Sequence, residues 1–439
     1  MKRYLFKQLE LWKDSFSRKP LVIKGARQVG KTWLMKEFGK KFYNKTAYIS
    51  FVDSPEAIQI FEKGYNLENI LLSLETLTGV SITENDTLII FDEIQECERA
   101  LNVLKFFNEN ASSYHVIAAG SLLGVAVREK NFSFPVGQVD FLELFPMNFC
   151  EFLEAIGEEK LARLILDYHF DITETFYEQY VNLLKLYMCV GGMPEVVKNF
   201  SVQRDLFEVR RLQKNILSGY RSDFSKYTTS SNVGKIAAIW DSVPSQLARE
   251  NNKFSYKHIK EGARAREYSS ALEWLTLTGL IYKVNKVTKP SLPLTGYENG
   301  AFFKIYMIDI GLLCAMSNLD FKTIIEGNTV FEEFKEALAE QFVFQEMKFL
   351  NELTICYWGS DSGNAEVDFV VQKGEQIIPI EVKASVNLKA KSLSLYRQKY
   401  QPEKAIRTSL ARLEINNGLY NIPLYLIGHV MFNQKGDNN

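Results

Sequence analysis

Short apolar runs alternate with amphipathic stretches in the first third of the chain. The runs at 21–24, 87–91 and 115–119 are continuous and short. Continuous apolar runs of this length are typical of parallel strands that are buried on both faces. The stretch 33–38 has helical periodicity instead. The pattern therefore predicts an α/β fold with an open parallel sheet in this part of the chain.

The pattern changes twice after residue 142. Residues 142–200 have helical spacing, which predicts a small helical lid. The following region predicts three helices and a β-hairpin, the arrangement of a winged helix. Its predicted elements are helices at 236–247 and 266–277, a second helix between them that starts at 255–259 with Ser255 as candidate N-cap, strands at 279–284 and 303–306, and a wing at 290–300.

The last third reads as a separate α/β unit. A long helical pattern occupies 331–350, with Glu340 near its centre. Strand patterns follow at 355–358, 365–371 and 377–380, and the last of these is uniformly apolar. We expect a helix packed on a small sheet.

Composition limits the class of protein. The chain has 439 residues, of which 46% are hydrophobic and 24% charged, so two or three globular domains are expected. Lys and Arg total 52 and Asp and Glu total 53, a net charge of −1. No apolar run is long enough for a transmembrane helix. The five cysteines form no CxxC pair, which argues against a disulfide scaffold or a structural zinc site. We expect a cytoplasmic protein without membrane association.

A phosphate-binding loop follows the first predicted strand. The sequence GARQVGKT fits G-x-x-x-x-G-K-[ST] between a strand and a helix. In such a loop backbone N–H groups surround phosphate oxygens, the lysine reaches the terminal phosphates and the hydroxyl meets Mg²⁺. The predicted nucleotide-binding residues are Gly25, Ala26, Arg27, Gln28, Val29, Gly30, Lys31, Thr32 and Trp33.

Polar residues also end the two later strands. Asp92 and Glu93 directly follow the run 87–91, and Ser121 follows the third strand. Asp92 is a candidate Mg²⁺ ligand together with Thr32, and Glu93 is a candidate to polarise the attacking water. Ser121 either senses the terminal phosphate or belongs to a simple turn.

These motifs together resemble a known family. GARQVGKT, IIFDEIQ, AAGS, GGMPE at 191–195 and the distal IEVK, with Arg3, Leu9 and Trp12 upstream, are similar to prokaryotic AAA-type ATPases that carry a C-terminal DUF4143 region. The resemblance covers nearly the whole chain. It implies a P-loop AAA-like parallel sheet with a helical lid, a winged-helix-like middle domain and an α/β nuclease-like C-terminal domain. It also implies ATP as the nucleotide. The loop at 191–192 either faces that nucleotide or is an interhelical turn.

The last third carries a constellation similar to that of PD-(D/E)xK nucleases. Asp368 and Glu381 lie on neighbouring predicted strands, and Lys383 shares a face with Glu381 because side chains alternate along a strand. Asp368, Glu381 and Glu340 are candidate Mg²⁺ ligands, and Lys383 is the candidate catalytic cation. Such folds also serve as binding modules, so cleavage is a separate question.

The middle segment is the basic part of the chain. Residues 201–290 contain 16 Lys and Arg against 8 Asp and Glu. Such an asymmetry indicates a candidate DNA contact, in which Lys257, Lys260, Arg264 and Arg266 would meet the nucleic acid. The alternative is a winged helix used for protein packing, with solvated charges.

Two functions remain open at this point. The first is a Mg²⁺-dependent ATPase that couples nucleotide state to a nuclease-like domain acting on DNA. The second is an ATP-dependent switch or DNA-binding regulator without nuclease activity. The predicted domains are 1–200, 201–310 and 311–439, and a homo-oligomer is left open.

Overall fold

A computed structural model of the chain describes residues 1–64, 66–129, 134–249, 253–326, 332–350, 353–360, 363–385 and 390–430. The predicted helix start at Phe331 lies outside these residues. Within them the chain forms two sheets. The first has five strands in the order β2-β3-β4-β1-β5, and the second has eight in the order β12-β13-β11-β10-β9-β8-β6-β7.

The first sheet is parallel throughout. Its strands are β1 Leu21–Lys24, β2 Lys45–Ser50, β3 Thr87–Asp92, β4 His115–Ala119 and β5 Asp140–Glu143. The helices of this part are α1 Leu5–Lys13, α2 Lys31–Phe42, α3 Pro55–Glu62, α4 Leu67–Thr78, α5 Glu98–Asn110 and α6 Leu123–Glu129, with a 3₁₀ turn at Ile94–Glu96.

Burial on both faces explains the apolar runs of this sheet. Every residue of β3 and β4 is buried. Ile90 packs in the core on one face, whereas its neighbour Ile89 packs in the core on the other. The predicted strands β1, β3 and β4 are therefore confirmed. The edge strands β2 and β5 were not predicted, because β2 alternates burial and β5 is only partly buried.

Helices dominate the chain from 149 to 277. They are α7 Phe149–Ala155, α8 Glu159–Leu166, α9 Phe170–Thr175, α10 Tyr177–Val190, α11 Pro194–Gln203, α12 Leu206–Asp223, α13 Ser230–Leu247 and α14 Ala265–Leu277. The helix predicted to start at Ser255 does not form: only a 3₁₀ turn is present at Tyr256–His258, and the Ser255 side chain does not cap it. Gly262 follows with a left-handed φ of 76°, which ends regular structure there. No helix among the described residues is both long and apolar enough to cross a membrane.

The second sheet joins the middle and the end of the chain. Its strands are β6 Ile281–Val287, β7 Glu298–Met307, β8 Thr354–Gly359, β9 Glu366–Lys373, β10 Gln376–Val382, β11 Ala405–Ser409, β12 Glu414–Asn416 and β13 Leu419–Pro423. The accompanying helices are α15 Ile310–Met316, α16 Phe321–Glu326, α17 Glu332–Lys348, α18 Lys391–Tyr400 and α19 Ile427–Val430.

The hairpin predicted as the wing is part of this second sheet. Strand β6 pairs with β7 on one side and runs parallel to β8 on the other. The predicted boundary at residue 310 thus falls between strands of one sheet. This pairing places β7 in the same sheet as the C-terminal strands, at the edge beside β6. A side chain of β7 therefore contributes to the surroundings of the acidic residues on β9.

Candidate functional site

The P-loop connects β1 to α2 with three residues in the left-handed region of φ. Gly25, Gln28 and Gly30 have φ values of 140°, 66° and 97°. Helix α2 has no side-chain cap and no acidic residue in its first turn. Its first N–H groups and the positive end of its dipole are therefore directed at the loop, which is the usual geometry of an anion site. Trp33 follows in the first turn and is 40% exposed.

Lys31 folds back onto its own loop. Its Nζ donates to the carbonyl oxygens of Gly25 at 2.8 Å and Ala26 at 2.7 Å. Burial lowers the pKa of Lys31 to about 8, and the negative charges of Glu93 and Asp92 oppose this shift. A phosphate group beside the ammonium would stabilise its charged form.

Thr32 and Asp92 meet at the ends of α2 and β3. The Thr32 Oγ1 donates to Asp92 Oδ2 at 2.6 Å, and the Tyr48 hydroxyl donates to the same oxygen at 2.9 Å. The structure thus brings together two side chains that are 60 positions apart. Tyr48 was missed because its strand, β2, gave no apolar run.

Glu93 directly follows β3 in a left-handed conformation, with φ of 52°. Its Oε2 accepts a hydrogen bond from Gln95 Nε2 at 2.6 Å and another from Ser121 Oγ at 3.2 Å. Ser121, at the end of β4, therefore lies beside Glu93 as the adjacent strand ends require. Gln95 was missed, although it lies only two residues further along the same motif.

The loop at 191–192 connects the helical lid to two other parts of the chain. The Gly192 N–H donates to Asp309 Oδ2 at 2.6 Å, and the Met147 N–H donates to the Gly192 carbonyl at 2.7 Å. Burial raises the pKa of Asp309 to about 6, although backbone N–H donors oppose the shift. Pro194 then reaches the P-loop, since a Cβ at Gly30 would lie 3.5 Å from its Cγ. The loop is a structural junction placed beside the P-loop.

Two arginines fix the P-loop from different sides. Arg3 is 3% exposed and donates to the carbonyl of Val29 at 2.9 Å while its Nε pairs with Glu151 at 3.1 Å. Arg27, within the loop, pairs through one nitrogen with both oxygens of Asp223 at 2.6 and 2.7 Å. The loop is thus held by the N-terminal residues and by the end of α12.

A cavity of about 430 Å³ opens next to the P-loop. Its walls include Lys24, Gly25 and Ser121 from the first sheet and residues 276–279 from the end of α14. This volume falls within the range of small-molecule sites, roughly 300–1,000 Å³.

The acidic residues of the last third surround a lysine. Lys304, from β7, is 1% exposed, and its Nζ lies 3.3 Å from Glu340, 3.0 Å from Glu366 and 3.6 Å from Asp368. Asp368 also accepts from the Val382 N–H at 2.8 Å, directly after Glu381 in the sequence. Three carboxylates around one ammonium match its three N–H donors.

The predicted residues Glu381 and Lys383 lie at the edge of the same cluster. Their charged groups are 3.0 Å apart. Burial, followed by the charges of Glu340 and Glu381, raises the pKa of Asp368 well above its usual range. Within the described ranges no group of three or more Asp, Glu, His or Cys residues could hold a metal ion. The metal-ligand roles of Glu340, Asp368 and Glu381 stay predictions, and Lys304 was not foreseen because a lysine in a strand is ordinarily read as solvated.

The basic residues predicted to meet DNA lie on the surface. They are Lys257, Lys260, Arg264 and Arg266. The other end of α14 packs on the first domain, where Leu277 contacts Gly124 and Glu273 pairs with Arg128. Helix α14 therefore presents its N-terminal end to solvent while its C-terminal end rests on α6.

Comparison with protein families agrees with this geometry. Residues 17–153 match the family model of an AAA domain. The first third is therefore similar to AAA domains. Residues 181–323 and 335–427 match two domains of unknown function, DUF8612 and DUF4143. The resemblance to AAA-type ATPases with a DUF4143 region is confirmed in these two parts, whereas the nuclease-like nature of the last third stays a prediction. None of the curated proteins matches the chain.

Several solved structures match this chain over most of their own length. The Walker-type ATPase PABY2304 of Pyrococcus abyssi is 13% identical, with a TM-score of 0.44 over 71% of this chain and 94% of that one. The ORC2 protein of Aeropyrum pernix, solved in ADPNP–ADP complexes, is 15% identical, with a TM-score of 0.35 over 74% and 94%. The ORC1 protein of Aeropyrum pernix in complex with DNA is 12% identical, with a TM-score of 0.29 over 73% and 94%.

Proposed function

We propose that the protein is an ATP-binding and ATP-hydrolysing switch of the AAA type. The observation that carries the proposal is the meeting of Lys31, Thr32, Asp92, Glu93 and Ser121 at one edge of the first sheet. These side chains combine phosphate binding, Mg²⁺ binding and activation of water, and they meet where the start of α2 faces the ends of β3 and β4.

The residues fit a nucleotide with its magnesium ion. The paired oxygens of Thr32 and Asp92, 2.6 Å apart, are the hard donors that Mg²⁺ prefers. A bound Mg²⁺ would supply positive charge to the phosphate oxygens. Lys31 would exchange its loop carbonyls for the terminal phosphates, which bring the negative charge that the buried ammonium lacks.

Glu93 would take the proton of the attacking water. To do so its carboxylate must turn from Gln95 towards the phosphate end of the loop, and Ser121 would follow because it binds the same oxygen. The hydrogen bond from Gln95 would therefore keep the Glu93 carboxylate away from the water until the nucleotide binds.

The test separates binding from hydrolysis. Lys31→Ala should abolish most ATP binding, whereas Glu93→Gln should keep binding and lose turnover by roughly 100-fold or more. Glu109→Gln, which removes a carboxylate from an exposed pair with Lys105, is the matched control and should behave like the parent. Parental turnover in Glu93→Gln would refute the assignment of the base.

A DNA contact through the middle segment is the second part of the proposal. The exposed basic residues at the free end of α14 support it. Binding to duplex DNA should weaken steeply with salt. Reversing the charges of Lys257, Lys260 and Arg264 should lower both the affinity and the salt dependence. Unchanged affinity in this triple variant would assign these charges to solvation.

For the last third we favour a coupling or binding role over cleavage. The Lys304 ammonium already pairs with Glu340 and Asp368, two of the three carboxylates that a nuclease would use for metal binding. We therefore expect no cleavage of plasmid or linear DNA with Mg²⁺ or Mn²⁺, with or without ATP. Cleavage that disappears in Asp368→Ala, while ATP turnover persists, would support the nuclease reading instead.

A further inference from the structure

The Arg27–Asp223 pair lies between the P-loop and the end of α12. Asp223 is 4% exposed, whereas the Arg27 side chain is 34% exposed. Next to the pair, the Tyr220 hydroxyl donates to the Arg27 carbonyl at 2.8 Å. Helix α12 thus holds both the backbone and the side chain of one P-loop residue.

The residues that follow Asp223 contact the turn after Glu93. The Tyr227 hydroxyl donates to Glu96, at the end of the 3₁₀ turn that carries Gln95, and Gln95 in turn donates to Glu93. The end of α12 and the residues just after it therefore contact both Arg27 of the P-loop and the turn beside Glu93.

Asp223 has a second cation within reach. Lys226 Nζ lies 3.4 Å from Asp223 Oδ1, one turn further along the chain. A buried carboxylate that loses its partner is strongly destabilised. Because Lys226 is close, Asp223 keeps a positively charged partner when Arg27 leaves. Movement of Arg27 to another acceptor therefore does not leave the buried carboxylate unpaired.

We propose that Asp223 is a positioning residue that withholds Arg27 from the nucleotide, and that the terminal phosphate of ATP competes with Asp223 for Arg27. Guanidinium binds phosphate and carboxylate through the same geometry, so the two acceptors are direct competitors. ADP lacks the competing group, so the Arg27–Asp223 pair stays intact when ADP is bound. This pair is the clamp between the P-loop and α12. This inference rests on the proposed function and adds the discrimination of ATP from ADP to it.

The released end of α12 leads directly into α13 and α14. Phe224 follows Asp223 and packs against Trp240 of α13 and Trp274 of α14, with ring centroids 6.0 and 5.7 Å apart. Opening of the clamp would therefore change the surroundings of two buried tryptophans. Their fluorescence gives a direct readout of the proposed exchange.

The experiment measures the Kd for ATP and for ADP by displacement of a fluorescent nucleotide analogue, with a non-hydrolysable ATP analogue as a check. Asp223→Asn should tighten ATP binding about fivefold, the scale of a partly exposed ion pair, and leave ADP binding unchanged. Arg27→Gln should weaken the binding of ATP but not that of ADP. Adding Asp223→Asn to this variant should have no further effect on either Kd. Lys226→Met, a surface change that is compatible with folding, should weaken ATP binding because Asp223 then holds Arg27 more firmly.

Asp241→Asn is the matched control. Asp241, on α13, pairs at 2.5 Å with Arg221, which is on the same helix as Asp223, and both side chains are exposed. It should leave both Kd values and the ATP-dependent tryptophan signal at the parental level. In Asp223→Asn that signal should no longer differ between ATP and ADP.

The outcomes separate two failures. If Asp223→Asn and Arg27→Gln weaken the binding of ATP and ADP alike, the pair is only structural. The exchange of Arg27 between Asp223 and the phosphate is then refuted, while the ATPase assignment stands. If Lys226→Met leaves the ATP Kd unchanged, the competition is likewise refuted. If the parent binds neither nucleotide, the proposed function fails, and this inference fails with it.

Discussion

Replacing Lys304 tests what the C-terminal acidic cluster is built to hold. In Lys304→Met the apolar stem is retained and the ammonium is lost. The carboxylates of Glu340, Glu366 and Asp368 would then lie close together without the cation that contacts all three. Like charges in a buried site repel one another, and the affected acids respond by binding protons.

The size of the effect follows from burial. Lys304 is 1% exposed, so solvent does not screen its ion pairs. Removal of one partner from a buried ion-pair network costs about 3–5 kcal/mol of unfolding free energy. Lys304 currently lowers the pKa of Asp368 and of Glu381, so both values rise further in the variant. The loss should therefore be largest at alkaline pH and smaller in mild acid, where these carboxyls are protonated in the folded state.

Urea unfolding followed by far-UV circular dichroism at about pH 8 and about pH 5.5 is the assay. Lys322→Met is the control, because Lys322 forms an exposed pair with Glu326 at 3.8 Å and should change the free energy by less than about 0.5 kcal/mol. Mg²⁺ should not shift the parental midpoint, whereas it should recover part of the loss in Lys304→Met. A loss below about 1 kcal/mol at alkaline pH, or a parental midpoint that rises with Mg²⁺, would refute the reasoning.

Two other positions give independent predictions. Burial raises the pKa of Glu346 to about 8, although the hydrogen bond that its carboxylate accepts from the Phe149 N–H opposes the shift. The stabilising contribution of the protonated Glu346 is complete below pH 4.5 and is lost as pH rises through 8. Glu346→Gln should therefore flatten the fall in unfolding free energy between about pH 5 and 9, and parallel curves for the variant and the parent would contradict this. Gly192→Ala would press its Cβ into the carbonyl oxygen of Met147 and should cost about 1–3 kcal/mol in urea unfolding, whereas Gly234→Ala, with open space around it in α13, should be neutral or stabilising. Equal stabilities for the two alanine variants would contradict the tight packing at the junction.

Local chemistry explains what could be predicted from the sequence. The P-loop was recognised because glycines, Lys31 and Thr32 lie within eight positions between a strand and a helix. Asp92 and Glu93 followed because a continuous apolar run marks a central strand whose end meets the loop. In each case the residues that matter are adjacent in the chain, and the fold only has to align two strand ends.

Long-range pairing explains what was missed. Lys304 lies in a strand of mixed polarity and becomes buried only because α17 and β9 bring three acids over it. Asp223 ends an ordinary amphipathic helix, and nothing in its neighbourhood indicates that Arg27, 196 positions away, will bind it. Both residues acquire their roles from partners in other elements, and periodicity carries no signal for such partners.

The stretch from α13 to α14 is anchored to the P-loop at both of its ends. Asp223, before it, holds Arg27, and Gly279, after α14, lies beside the Ala26 nitrogen, where an added Cβ would come within 3.9 Å. Beyond Gly279 the chain enters β6 of the second sheet, which pairs on one side with β7, where Lys304 is buried. Movement of β7 would break buried ion pairs, whereas the clamp at Arg27 has a substitute cation ready. If ATP releases Arg27 as proposed, we therefore expect the end of α12 to move while β7 keeps the buried ion pairs of Lys304.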